Sequence, residues 1–158
     1  MKKIIAALLA LALVFGLCAC GKEAQEDGSL KCKYTISCEG VLDNMDALNP
    51  DKVELIPEDG FFFGPEDVAF AEGENAFDIL LRVCKDNGIH MEYQADGGYG
   101  SAFVEGIANL YGGDCGEMSG WLMSYNGEYP NYGASDIFPV DGDEIIWKFC
   151  PDMMAEFQ

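Results

Sequence analysis

The chain has 158 residues, with 28 acidic against nine basic side chains and a formal net charge of −19. That length fits one domain. The charge argues against nucleic acid as a partner, since phosphates demand a basic patch, and against adsorption to an anionic lipid surface by charge alone.

Met1-Lys2-Lys3 is a basic start, and Ile4 to Leu17 is an apolar run too short for a comfortable membrane span. Leu17-Cys18-Ala19-Cys20-Gly21 then resembles the bacterial lipoprotein signal, in which small residues precede the cysteine that takes the lipid. The expectation is a signal peptide over residues 1–19 and lipidation of Cys20. That places the protein at the bacterial cell surface, on the outer face of the cytoplasmic membrane, held by the lipid. Cys18 leaves with the signal, and residues 20–30 read as a polar tether. Residues 31–158 make the domain.

Lys31 to Cys38 alternates, with Cys32, Tyr34, Ile36 and Cys38 on one face, which predicts a half-buried strand. Val41 to Leu55 is acidic with Leu42, Met45 and Leu48 at helical spacing, so a short helix is expected before Asn49-Pro50. Phe61-Phe62-Phe63 and Val68-Ala69-Phe70 read as two short strands separated by Pro65. The clearest helix comes next. Asn75 can cap it, Asp78 suits its positive first turn, and Phe77, Leu80, Leu81 and Cys84 form one stripe. Asn87-Gly88 ends it.

Ile89 to Tyr93 alternates again and puts His90 on the polar face, where a lone histidine is a solvated strand residue rather than a metal ligand. Asp96-Gly97-Gly98 is a turn, Ser101 to Val104 a strand, and Gly106 to Gly113 a loop. Gly120 to Tyr125 is a strand ending in Asn126-Gly127, the strongest hairpin signal in the chain. Glu128-Tyr129-Pro130 is expected to return along a sheet edge, because proline cannot donate to a central ladder. Asp141-Gly142-Asp143-Glu144 lacks the spacing of a calcium loop and reads as a turn into a last strand, Glu144 to Cys150. One good helix among several strands predicts an α+β domain.

Five cysteines lie beyond the lipid site: Cys32, Cys38, Cys84, Cys115 and Cys150. Export permits disulfides, and two bridges with one leftover thiol can be arranged in many ways. With no CxxC pair and a single histidine, a zinc site is not expected, and the cysteines read as structural. No nucleophile elbow, metal motif or phosphate loop occurs, so the chain is not expected to be an enzyme.

The blocks AEGENAFDILLRVCKDNGIHMEY, SAFVEGI, DCGEMSGWLMSYNGEYPNYGASD and DGDEIIW, from about Ala71 to Trp147, carry a resemblance. They look like a family of exported bacterial domains similar to the C-terminal domain of transcobalamin and intrinsic factor. The resemblance implies a β-grasp-like mixed sheet of the soluble-ligand-binding type, with one main helix on one face and a C-terminal β-hairpin. First and last strands then run parallel and adjacent, which implies Cys38–Cys150. A cysteine often stands in that family where this chain has Ala134, so Cys84 is left as the partner of Cys115, with Cys32 free. The separate helical domain that covers the other face of cobalamin in transcobalamin has no counterpart here.

The function this resemblance implies is that of a surface lipoprotein binding a small soluble ligand for uptake. Cobalamin or another corrinoid leads as the ligand, no cofactor is required, and a transporter component is a reasonable partner. Flat rings and amides suit a macrocycle, which singles out Trp121, Tyr125, Asn126, Tyr129, Asn131 and Tyr132. Trp121 has a competing reading as a core residue. A protein-interaction or adhesion module using the same residues is the alternative, because tyrosine and tryptophan also favour protein interfaces.

Overall fold

The computed structural model describes residues 29–96 and 100–157. The signal sequence, Cys20 and most of the tether, like the Gly97-Gly98 part of the predicted turn, lie outside the described residues. The domain is α+β, with two sheets and one substantial helix. Strand β1 (Leu30–Ser37) leads into a single helical turn, α1 (Glu39–Leu42), and a 3-10 segment, Pro50–Leu55. Then come β2 (Phe61–Phe70), helix α2 (Ala76–Asp86), β3 (Met91–Gln94), β4 (Phe103–Ile107) and β5 (Leu110–Tyr111). β6 (Gly120–Tyr125) and β7 (Glu144–Cys150) come last, and a 3-10 segment, Met153–Phe157, ends the described chain. No helix among the described residues is long and apolar enough to cross a membrane.

The larger sheet has the order β2-β1-β7-β6, and the smaller one β3-β4-β5. β1 and β7, the first and last strands, are parallel neighbours, while β2 and β6 flank them antiparallel. This is the mixed, β-grasp-like arrangement. The predicted half-burial of β1 holds only for its first half, where Lys31 and Lys33 are exposed. Thr35 and Ser37 are buried as well, because β1 sits centrally and its far end is covered on both faces.

Helix α2 starts where Asn75 caps it, the side-chain oxygen accepting from Asp78 N at 2.9 Å. It buries Ala76, Phe77, Ile79, Leu80, Val83 and Cys84, and Leu81 is only partly covered. This stripe joins Tyr34, Ile36, Ile145, Trp147 and Phe149 in one continuous core. The helix ends at Asn87 with Gly88 at φ +67°. The helical spacing read in Val41–Leu55 yields only α1 and the 3-10 segment, since Asn49-Pro50 restarts the chain: Asn49 accepts from Asp51 N.

The two short strands expected around Pro65 are one long strand, β2. β2 is an edge strand, so a missing N–H at Pro65 costs no ladder bond, and register shifts there absorb the irregularity. The Asn126-Gly127 turn forms with both residues at positive φ, +51° and +81°. The return strand does not. Only a Tyr125–Glu128 bridge is made, and β6 pairs instead with β7 from Gly120–Cys150 to Tyr125–Ile145. The long pairing with a core strand buries more than a three-residue return could.

Neither expected disulfide is formed: Cys32, Cys38, Cys84, Cys115 and Cys150 all stand free and buried. The β1–β7 register pairs Tyr34 with Ile145 and Ile36 with Trp147. Cys38 continues that face, whereas Cys150 alternates with Lys148 and Ile146 on the other. Adjacent strands therefore carry these two thiols away from each other. For Cys84–Cys115, α2 holds Cys84 in the core while Cys115 Sγ donates to Asn44 O at 3.5 Å. Burial pushes the thiol of Cys32 up to about 11 and those of Cys38, Cys84 and Cys150 up to about 12, which makes them poor nucleophiles.

Gly64 is where β2 presses closest on β1. It has φ +74°, and an added Cβ would meet Tyr34 O at 2.2 Å. Gly73 has φ +83° with nothing within 4 Å. Gly64→Ala should therefore cost more than about 3 kcal/mol, by strain plus displacement of the strand, and Gly73→Ala only about 1 kcal/mol. Urea unfolding of both variants checks this, and equal losses would refute the close approach of the two strands.

Candidate functional site

The segment between β6 and β7, residues 126–143, carries most of the predicted site residues, and its two ends are stapled together. Asp143 accepts from the Tyr125 hydroxyl in a short hydrogen bond, from Asn126 Nδ2 at 2.9 Å and from Val140 N at 2.7 Å. Asn126 Oδ1 in turn accepts from Glu144 N at 2.8 Å. Burial works to raise the Asp143 carboxyl, but the hydrogen bonds from Tyr125, Val140 and Asn126 outweigh it and hold it below the usual range. Burial, then the bond to Asp143, pushes the Tyr125 hydroxyl up to about 12, so it stays a donor.

Further along, Tyr129 donates to Glu156 Oε2 at 2.6 Å, and its ring lies 5.3 Å from that of Phe157. Lys148 Nζ donates to Glu156 Oε1 at 2.8 Å. The C-terminal 3-10 segment thus clamps the loop to β7. Trp121 is 9% exposed, and its indole N–H donates to Leu110 O at 2.8 Å, tying β6 to the smaller sheet. Its ring stands edge-on to Phe149 at 5.4 Å. One side of it reaches a narrow crevice of about 170 Å³ beneath the loop.

The predicted residues therefore separate. Trp121, Tyr125, Asn126 and Tyr129 spend their polar groups on internal partners, while Asn131 and Tyr132 face outward. Tyr132 is 55% exposed and forms one wall of a groove of about 890 Å³ with Pro130, Asn131 and Asp136. The other wall is Ser101 and Phe103, at and just before the start of β4, with Gln94 at the end of β3. The volume lies within the range of small-molecule sites. Phe103, 58% exposed, had no place among the sequence candidates. Its signal was the Phe103-Val104 pair, in which one apolar residue must face away from the core if the other is buried, as Val104 is at 8%.

The walls meet without a gap. Gly133 lies so close to Ser101 that an added Cβ would fall 1.9 Å from its Oγ, and Ala102 N donates to Ser135 Oγ at 3.2 Å. A second cleft, of about 900 Å³, lies around Arg82 and Glu74. Several of its polar groups are already engaged: Arg82 donates to Glu74 Oε1 at 2.9 Å and to Ala69 O at 2.8 Å, and Asp141 accepts from Lys31 N. Among the described residues, no three His, Cys, Asp or Glu side chains gather in a geometry for a metal ion. His90 is half exposed and paired with Glu92 at 2.9 Å.

The staple has a measurable signature. Asn126→Ala loses both side-chain bonds and puts alanine at positive φ, so it should cost about 2 kcal/mol. Exposed Asn131→Ala should change stability by less than about 0.5 kcal/mol in the same urea titration. Because the Asp143 pKa is depressed in the folded state, its contribution is complete above its ordinary value of 3.8 and fades as pH falls through the folded value. Asp143→Asn should accordingly be less stable at neutral pH and lose less on acidification. An unchanged acid profile would remove Asp143 from this role.

Compared with known proteins, the chain has no match among curated ones. Haptocorrin in complex with Cbi is similar at 15% identity and a TM-score of 0.49, over 77% of this chain and 25% of its own. A candidate metal-binding protein from Ruminococcus gnavus is similar at 15% identity and a TM-score of 0.42, over 76% of this chain and 95% of its own. This chain thus spans about a quarter of haptocorrin. Residues 73–150, from the approach to α2 to the end of β7, match the family model described as a domain of unknown function, DUF4430.

Proposed function

We propose that this protein is a surface module that holds a small soluble ligand with a flat apolar face in the groove between Phe103 and Tyr132. The observation that supports it is the pair itself. Two large aromatic side chains, 58% and 55% exposed, line one groove whose walls are fixed from behind by the Asp143 staple and the Gly133–Ser101 contact. Rings exposed on a rigid support offer contact area at little entropic cost on binding. A corrinoid such as cobalamin is the first ligand to try, on the resemblance of the 71–147 blocks to transcobalamin-type domains. In this reading the chain catalyses nothing and requires no cofactor. Cys20 carries the lipid, the polar tether lets the domain stand off the outer face of the membrane, and a transporter component receives the ligand.

A protein-docking role is the second reading, and one observation favours it. Beyond Tyr132, the same loop exposes two further apolar side chains, Phe138 and Val140, at 58% and 64%.

Cyanocobalamin titration, monitored by calorimetry and tryptophan fluorescence, separates the two. Binding is expected in the wild-type protein, weakened about 3- to 10-fold by Phe103→Ala or Tyr132→Ala, with folding intact because both side chains are exposed. Absence of both heat and quenching at high micromolar ligand would favour protein docking.

A further inference from the structure

Resting on the groove reading, we infer that the site selects its ligand by charge: it takes a flat organic molecule bearing a positive charge, an ammonium or a comparable cation, and rejects anions. The groove is lined by Phe103, Tyr132, Pro130, Asn131, Gln94 and Asp136 among others, and no lysine or arginine among the described residues borders it. The Asp136 carboxylate is exposed and takes part in none of the ion pairs among the described residues. Gln94 Nε2 is spent on Glu105 Oε1 at 2.6 Å. The groove's polar edge therefore sets the Asp136 carboxylate beside neutral groups, Asn131, Tyr132 and Ser101, that both donate and accept.

The far side of Phe103 also carries carboxylates, but engaged ones: Glu92 accepts from Tyr111 and pairs with His90, and Glu105 accepts from Gln94. The ring also borders a shallower depression of about 460 Å³ with Glu92, Glu105 and Tyr111. Carboxylates thus stand on both sides of one exposed aromatic ring. The face of such a ring attracts a cation through its quadrupole, and the attraction adds to that of nearby carboxylates. An anion of the same shape would meet a low-charge apolar face ringed by negative groups, within a chain of net charge −19. Three of the basic side chains that could have reversed this are held elsewhere. Lys52 sits between Asp114, Asn109 O and the Tyr111 ring, Arg82 on Glu74, and Lys148 on Glu156.

Three probes with one naphthalene ring and three charges test the inference: 1-naphthylmethylammonium, 1-naphthalenemethanol and 1-naphthoate. Affinities are read by saturation-transfer NMR at physiological salt. The ammonium should bind tightest and the carboxylate weakest. Phe103→Ala and Tyr132→Ala should each weaken the ammonium about 2- to 5-fold. Asp136→Asn should reduce the preference for the ammonium over the alcohol about threefold, while Asp46→Asn, an exposed acid outside the groove, should leave it unchanged. Equal or tighter binding of 1-naphthoate would overturn the charge selection and leave the groove reading standing. So would an Asp46→Asn effect as large as that of Asp136→Asn, which would assign the preference to the whole acidic surface. Failure of all three probes, with no effect of Phe103→Ala or Tyr132→Ala, would overturn both.

Discussion

The parallel pairing of β1 with β7 is the constraint on which the rest depends. It joins the two ends of the described domain in the middle of one sheet, so β2 and β6 can only add at the outside. Tyr34, Ile36, Ile145 and Trp147 meet across this pairing and face the helix stripe. The Tyr34 hydroxyl and the Trp147 indole nitrogen lie buried among them with no hydrogen-bond partner among the described residues, and burial holds that hydroxyl far above its usual pKa. A central pair made of the most distant segments leaves everything between them as insertions pinned to a finished sheet.

The site inherits its rigidity from that arrangement. Residues 126–143 are suspended between two strands already paired to each other, so a single carboxylate at the base, Asp143, can hold both ends of the segment. Tyr129 and Glu156 hold its middle to the C-terminal segment. The groups that look most like ligand-binding groups in the sequence are those the loop needs for its own shape. What is left exposed is a smaller set, Asn131 and Tyr132, and Phe103, from the smaller sheet, lines the same groove.

Charge is distributed with a similar division of labour. Few basic side chains are available, and several serve as internal fasteners, as Arg82 does by reaching both Glu74 and Ala69 O. Lys52 does the same between the 3-10 segment and β5, with its ammonium 4.9 Å from the Tyr111 ring centroid. The aromatic groove is therefore left with one carboxylate, Asp136, among neutral side chains.

Elements whose signals are local could be read from the residues alone. Asn75 and the Phe77–Cys84 stripe specified α2, alternation specified β1 and β7, and Asn126-Gly127 specified the turn, because caps, periodicity and positive φ are set within a few residues. The α+β class came from their order. Which elements pair with which was settled by the assembled fold. The expected return strand after Gly127 lost to β7, whose long ladder and buried face are worth more than a short edge pairing. The faces of Cys38 and Cys150 depended on the parallel register, which no local pattern encodes. The groove depended on bringing Phe103 of the smaller sheet to the loop that carries Tyr132. For Tyr125, Asn126, Tyr129 and Trp121, residue type alone could not separate a binding group from a fastener. That difference lies in where the partners are, and Asp143, Glu156 and Leu110 O are brought to them only by the fold.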